Sequence, residues 1–249
     1  MMPLRRDVPP RFYCQLPLAP NTTVELPPGP AHHAVRVLRL GSGTPITLFN
    51  GEGGEFRATV EYTGGRKVHA RIGVRSEVER ESPLRITLVQ GLASVERMDY
   101  AVQKAVELGV NAIAPVETSR SVTRLSGPRG EKRCEHWRQI AIAACEQCGR
   151  NRVPEIRSPR AIGDWLADAS SALRLLLAPE ATQTLAALEP PRGEIELLTG
   201  PEGGLSPDEV AAARRAGFRP VNLGPRILRT ETAGVAALAA MSALWGDLR

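Results

Sequence analysis

Two periods of apolar residues divide the chain. Up to about residue 75, apolar and polar positions alternate over short runs, the two-residue period of strands with one buried face. Residues 11–16 predict a first strand, and residues 30–40 a short helix with Pro30 near its start and Gly41-Ser42-Gly43 as its stop. Strands follow over residues 45–49, 55–63 and 67–74. The Asn50-Gly51 and Gly64-Gly65 turns between them predict antiparallel hairpins. Residues 1–75 therefore predict a small β-rich barrel or sheet. Residues 76–83 are charged, lack a period and end in Pro83, the features of a linker.

From Leu84 the pattern changes to short apolar runs alternating with helical spacing. Residues 85–91 predict a strand. Residues 96–108 predict a helix with Met98, Val102, Ala105 and Val106 toward the core and Gly109 as its stop. A strand over 112–116, a long helix over 131–148 stopped by Gly149, and a strand over 173–178 come next. Strands alternating with helices imply a parallel sheet covered on both faces, a doubly wound α/β domain over residues 84–249.

That domain ends in two glycine loops. The strand at 195–199 runs into Gly200-Pro201-Glu202-Gly203-Gly204, with Ser206 as N-cap, Pro207 at the first helical position and Glu209 at capping-box spacing. The strand at 221–223 runs into Gly224-Pro225-Arg226-Ile227-Leu228-Arg229-Thr230-Glu231-Thr232-Ala233. Thr230 or Thr232 can cap an Ala-rich helix running to about residue 245. Loops leaving the same end of neighbouring parallel strands would line one crevice, where open α/β sheets hold ligands. Either loop alone is an ordinary connection, but a simple turn requires none of Glu202, Arg226, Arg229 and Glu231.

The first loop matches neither phosphate-binding glycine pattern, and Glu202 would repel a phosphate. It suits a ligand with a cationic or hydroxyl-bearing part. S-adenosylmethionine has both, in its sulfonium, its amine and its ribose.

Charge adds a second partner. The chain has 32 basic and 27 acidic side chains, and the first 75 residues hold ten basic against five acidic, so the remainder is balanced. Lys67, Lys104 and Lys132 are the only lysines. Arginine suits bidentate phosphate contact and stacking on bases. The bias toward arginine runs through the whole chain and explains residue type, but not the segregation of charge. Arg36 and Arg39 lie three apart on the first predicted helix. Arg150-Asn151-Arg152 follows the long one, as an RNA contact or as a solvated helix end.

No apolar run approaches the roughly 20 residues that span a bilayer. The first residues have no apolar core of an export signal, so a cytoplasmic location is expected. Cys14, Cys134, Cys145 and Cys148 are scattered, and Cys145-x-x-Cys148 lacks a second ligand pair. Cys145 and Cys148 are expected as buried thiols, with no metal. His32 and His33 likewise lack ligand partners and are expected to be structural or RNA-facing.

Gly200–Gly204 followed by the 223–233 stretch resembles the signature of the RsmE family, 16S ribosomal RNA (uracil-N3) methyltransferases of the SPOUT superfamily. The resemblance extends over nearly the whole chain. It includes Arg97-Met98-Asp99-Tyr100-Ala101-Val102-Gln103-Lys104 with Glu107-Leu108-Gly109-Val110, and Ala143-Ala144-Cys145-Glu146-Gln147-Cys148-Gly149-Arg150. It implies a PUA-like RNA-binding domain over 1–75, a linker over 76–83, and a SPOUT methyltransferase domain over 84–249 with a C-terminal trefoil knot. It implies S-adenosylmethionine as cofactor, bound by Leu177, Leu198, Thr199, Gly200, Pro201, Glu202, Gly203, Leu223, Gly224, Ile227, Leu228, Arg229, Thr230 and Glu231. The implied substrate is uridine 1498 of 16S rRNA in the small ribosomal subunit. Arg11, Arg36, Arg39, Arg150, Asn151 and Arg152 are the expected RNA contacts. A homodimer is expected, paired through Val235, Leu238, Ala239 and Ser242 of the last helix. Alternatives are a related ribose 2′-O-methyltransferase and a non-catalytic rRNA-binding assembly factor.

Methylation at N3 sets a chemical requirement. That nitrogen carries a proton in neutral water and becomes nucleophilic when the proton leaves. A guanidinium near O2 or O4 would stabilise the anion, and Arg226 and Arg229 are the candidates by position. Arg229 could instead brace the loop through Glu231. No histidine lies in these stretches. N3 is on the Watson–Crick edge, so the target must be unpaired or flipped.

Overall fold

The computed structural model describes residues 8–62, 67–125 and 127–248. The expected Gly64-Gly65 turn and the reading of the first seven residues lie outside them. The chain forms two compact units. One comprises residues 1–81 together with Cys145–Val153, the other Ser82–Ala144 and Pro154–Arg249.

In the first unit, β1 (Arg11–Tyr13), β2 (Thr23–Glu25), β3 (Pro45–Phe49), β4 (Glu55–Tyr62) and β5 (Val68–Ser76) make one sheet in the order β1-β3-β4-β5-β2. The β3-β4 and β4-β5 pairs are antiparallel, as the turns predict, while β1 pairs parallel to β3. Alternation along β4 buries Phe56, Ala58 and Val60, and these pack with Phe12, Ile46, Leu48 and Ile72. The predicted first helix is shorter and of mixed type. Helix α1 (Pro28–His32) passes into a π-helical turn over His33–Val37, closed by Leu38 N–H donating to His33 O at 3.0 Å. Arg39 then takes a left-handed φ of 52°.

The expected linker does not run free. Glu81 accepts hydrogen bonds from Nε (2.9 Å) and Nη2 (2.6 Å) of Arg150 and from the backbone N–H groups of Asn151 and Arg152. Asn151 Nδ2 donates to Val78 O at 2.6 Å, and Arg80 to Gly149 O at 3.1 Å. Residues 77–81 are thereby held against 145–153, and the unit ends at Glu81.

The second unit is the expected parallel sheet. Its strands are β6 (Arg85–Gly91), β7 (Ala112–Glu117), β8 (Glu155–Ile156), β9 (Arg160–Ala161), β10 (Leu173–Leu177), β11 (Glu194–Thr199) and β12 (Arg219–Val221). The order is β12-β10-β11-β6-β7-β8, with β9 also pairing β7, and every pair is parallel. Apolar runs such as Leu197-Leu198 and Leu175-Leu176 are buried on both faces. The helices are α2 (Val95–Glu107), α3 (Gly127–Cys148, its end counted with the first unit), α4 (Ile162–Ala167), α5 (Pro207–Arg215) and α6 (Thr230–Trp245). Asp99 on α2 receives Trp137 Nε1 of α3 at 3.2 Å, which satisfies the indole of a buried tryptophan.

Sequence reasoning placed the two glycine loops on neighbouring strands, and the register corrects this. β10 lies between β11 and β12, so three strand ends and not two supply the crevice. The last of these strands also ends at Val221, two residues earlier than expected, which lengthens the loop before α6.

A candidate cofactor site at three strand ends

The C-terminal ends of β10, β11 and β12 surround a cavity of about 500 Å³, within the range that holds a cofactor-sized ligand. Leu177 to Glu180 form one wall, Thr199 to Leu205 the second, Asn222 to Thr230 the third, and Arg97 enters from α2. Of the expected cofactor residues, Leu177, Thr199, Gly200, Pro201, Glu202, Gly203, Leu223, Gly224, Ile227, Leu228, Arg229 and Thr230 line it. Two do not. Leu198 is fully buried within β11 as core, and Glu231 is turned to Arg97. Glu180, Asn222 and Arg97 line the cavity without having been expected.

Close approach of backbone explains the glycines. A Cβ on Gly91, at the end of β6, would come within 2.6 Å of Pro201 N, and one on Gly200 within 2.9 Å of Leu205 N. Both positions exclude any side chain without loop movement. A Cβ on Gly203 would meet Arg120 Cβ at 3.2 Å, so a side chain there presses on the segment after β7.

The two expected loops are joined directly. Thr230 Oγ1, at the start of α6, donates to Gly200 O at 2.6 Å and accepts from Gln90 Nε2 at 2.9 Å. Gln90 and Thr230 are both buried. One threonine hydroxyl thus links the end of β6, the β11 loop and the α6 terminus, in a site where an unpaired polar group is costly.

Glu202 has a structural role that sequence reasoning did not give it. Its carboxylate accepts from the backbone N–H of Ser94 at 2.8 Å, capping the start of α2, where the Ser94 side chain makes no cap. It also pairs with Arg97 Nη1 at 3.1 Å. Partial burial raises the Glu202 carboxyl, but the hydrogen bonds from Ser94 and the charge of Arg97 outweigh it and hold the group below its ordinary value. The same guanidinium faces Glu231, Nε to Oε2 at 3.7 Å, and that buried oxygen has no hydrogen-bond donor among the described residues. Glu231 is therefore partnered by Arg97, not by Arg229 as one reading of the loop had it.

From outside, the segment after β7 braces the same loop. Arg120 Nη1 donates to Gly203 O at 2.9 Å. Glu209 closes the capping box of α5 through Ser206 and also accepts from Ser119 N–H at 2.7 Å and Oγ at 3.1 Å.

Arg226 and Arg229 line the cavity with exposed side chains and form no ion pair among the described residues. They are the cations at the mouth not already committed to a carboxylate. The fit to S-adenosylmethionine is chemical as well as spatial. Leu177, Ile227 and Leu228 offer apolar contact, the glycine loops expose backbone, and Glu180 and Glu202 supply negative charge.

The expected RNA contacts separate into two groups. Arg36, Arg39 and Arg152 are exposed. Arg150 and Asn151 are buried, at 3% and 0% exposure, in the Glu81 network. Arg11 keeps only 10% of its side chain exposed; it pairs with Glu55, donates to Asn151 Oδ1 at 2.7 Å and stacks on Phe49. These three hold the first unit together, because a buried guanidinium requires compensating acceptors. Burial pushes the thiols of Cys14 and Cys145 up to about 12, the range of inert structural cysteines, whereas Cys148, expected to be buried, sits at the helix end and is partly exposed. Among the described residues no cluster of metal-ligating side chains occurs, and no helix is long and apolar enough to cross a membrane.

Comparison with known proteins agrees with this geometry. A model of the RNA methyltransferase domain matches residues 80–242, and one of the RNA methyltransferase PUA domain matches residues 30–73. Ribosomal RNA small subunit methyltransferase E of Buchnera aphidicola is 35% identical over 240 residues, 96% of this chain and 98% of that one. The Neisseria gonorrhoeae protein of the same name, solved bound to S-adenosyl methionine, is 40% identical with a TM-score of 0.91 over 97% of this chain and all of that one. A methyltransferase structure from Legionella pneumophila with bound SAM is also 40% identical, with a TM-score of 0.93 over 96% of this chain and 99% of that one. The likeness runs through both units and reaches the loops that build the cavity, and the chain belongs to the ribosomal RNA small subunit methyltransferase E family.

Proposed function

We propose that this protein transfers a methyl group from S-adenosylmethionine to N3 of a single uridine, position 1498 by family resemblance, in 16S rRNA of the small ribosomal subunit. The observation that carries the reading is the cavity at three strand ends, with two arginines at its mouth, Arg226 and Arg229, that form no ion pair among the described residues.

S-adenosylmethionine, when bound, supplies an already activated methyl group. The protein's part is to hold the adenosine portion against the loop backbone between Leu177 and Leu228, to exclude water, and to favour the N3-deprotonated uridine. Arg226 supplies positive charge where the base becomes an anion, with Arg229 beside it. Preorganised donors of this kind act most strongly in a partly desolvated site. The exposed Arg36, Arg39 and Arg152 contact the RNA backbone, consistent with the excess of basic residues in the first 75 positions. A cytoplasmic location follows from the substrate.

The active form is a homodimer in this reading, but not through the face expected from sequence. Leu238 and Ser242 are buried within the unit. The open face of α6 carries Thr232, Ala236, Ala240 and Leu244, which with Leu185 and Leu223 line a largely apolar groove of about 430 Å³ beside the cofactor loop. A second copy seated there would cover Leu244, which is 44% exposed.

The test is methylation of undermethylated small subunits followed by mapping of the modified nucleotide. A methyl group on N3 of one uridine is expected. A methyl group on ribose would overturn the assignment, and light scattering at micromolar concentration would reject the dimer by returning a monomer mass.

A further inference from the structure

We infer that Arg97 is a positioning residue for the methyl transfer, a clip that holds the two halves of the cofactor cavity at their working separation. The inference rests on the cofactor reading above.

Three facts lead to it. First, Arg97 contacts both cofactor loops while itself lining the cavity. Its Nη1 lies 3.1 Å from Glu202 in the β11 loop, and its Nε 3.7 Å from Glu231 at the start of α6. Second, Glu202 is already fixed from the other side, because it caps α2 through Ser94 N–H at 2.8 Å. Arg97 stands one turn along that same helix, so α2 grips the loop at two points. Third, the Glu231 oxygen facing Arg97 is buried and lacks a hydrogen-bond donor among the described residues, so the guanidinium is the charge that makes a carboxylate tolerable there.

The consequence is directional. Without Arg97, the half-buried Glu231 keeps a buried carboxylate oxygen with no compensating charge, and Glu202 keeps only the Ser94 contact. The α6 terminus then moves to hydrate Glu231, and the wall carrying Leu228 to Thr230 moves with it. Thr230 still bridges to Gly200, so the cavity is loosened and not lost. A loosened cavity binds cofactor poorly, yet once filled it still presents Arg226 to the base. The signature is a large loss of affinity for S-adenosylmethionine with a small loss of turnover at saturation.

The experiment titrates S-adenosylmethionine calorimetrically into the full chain. Wild type is compared with Arg97→Ala, Arg97→Lys, Glu231→Gln and the double variant Arg97→Ala with Glu231→Gln, each followed by single-turnover methylation at saturating cofactor. Arg97→Ala should raise the dissociation constant roughly ten- to a hundredfold, the loss of a charge-assisted contact, with less than about a threefold change in saturated turnover. Arg97→Lys should recover part of the affinity, since an ammonium reaches one carboxylate at a time. The double variant should bind more tightly than Arg97→Ala, because neutralising Glu231 removes the orphaned charge. A dissociation constant within about twofold of wild type in Arg97→Ala, or no recovery in the double variant, overturns the inference. Should Arg97→Ala fail to fold, Arg97→Lys decides alone: wild-type affinity counts against the clip, weakened affinity with near-normal saturated turnover for it. Failure of the wild type itself to bind S-adenosylmethionine would instead overturn the cofactor reading.

Discussion

Thr230 Oγ1 and Gly200 O lie 2.6 Å apart, and through this bond the two ends of the cofactor cavity become one structure. Thr230→Val keeps the shape of the side chain but removes the hydroxyl. It leaves the half-buried Gly200 O without its donor and the buried Gln90 Nε2 without one acceptor. A destabilisation of about 1–3 kcal/mol is expected, with weaker cofactor binding. Thr230→Ser should retain most of both. Urea unfolding and cofactor titration check this; Thr230→Val matching wild type in both would show that the bond carries little.

Arg226 and Gly203 should fail in opposite ways. Arg226→Ala removes a donor at the cavity mouth and should lower single-turnover methylation by about 10²- to 10³-fold with little change in cofactor affinity. Gly203→Val should press on Arg120, which a Cβ would meet at 3.2 Å, and so disturb the hydrogen bond to Gly203 O. Its cofactor dissociation constant should rise while saturated turnover stays near normal. Near-normal turnover in Arg226→Ala would transfer the catalytic role to Arg229.

At the far end of the same sheet, Arg174 and Glu196 are register partners on β10 and β11. The guanidinium is 7% exposed, lies 3.1 Å from Glu196 and donates to the carbonyls of Ala216 and Asp168. Arg174→Ala leaves the half-buried Glu196 carboxylate with only its hydrogen bonds from Trp165 and Ser170 and should cost about 1–3 kcal/mol of stability. Arg174→Ala together with Glu196→Gln should cost less. Equal losses would mean that packing, not charge, holds this corner.

Glu209 gives a pH dependence of defined sign. Partial burial raises its carboxyl, but hydrogen bonds from Ser206 and Ser119 prevail and hold it below its ordinary value of 4.5. A depressed folded-state pKa contributes stability that is complete above the unfolded value and is lost as pH falls through the folded one. The stability difference between wild type and Glu209→Gln should therefore be constant near neutrality and shrink below about pH 4.5. A difference unchanged down to acid pH would remove Glu209 from this role.

Charge reversal on the π-helical turn and just after it tests the RNA surface. Arg36→Glu with Arg39→Glu should weaken binding to small subunits and flatten its dependence on salt, since fewer phosphates are neutralised. S-adenosylmethionine affinity should not change. An unaltered salt slope would place the RNA elsewhere.

Local signals in the chain were sufficient for the elements and for most of the cavity. The glycines of 200–204, the Ser206 capping box and the alternation in residues 55–62 are short-range patterns, and each forms the expected element. Long-range facts were not legible. Nothing in residues 173–177 tells that this strand separates the other two. Arg97 carried no signal beyond its motif, because its role exists only once α2 meets both loops. Arg150 and Asn151 had the composition of an RNA contact, and only the path of residues 77–81 shows them to be buried. The π-helical turn had no signal of its own: the pattern over residues 30–40 reads as one helix, where a short α-helix passes into the π turn. A knot is an expectation from family resemblance alone, since no periodicity carries it.

The seam between Glu81 and residues 145–153 bears on how the protein is made. Ribosomes release the chain from the N-terminus, and domains generally fold as they emerge. Here the first 81 residues emerge without Arg150 and Asn151, so Glu81, Val78 O and Arg11 await partners encoded some seventy to one hundred and forty positions later. The five-stranded sheet can collapse early, but its charged seam closes only after residue 153 has left the exit tunnel. Maturation of the N-terminal unit is thus timed by synthesis of the helix that follows β7, and cutting the gene after codon 81 separates a lock from its key.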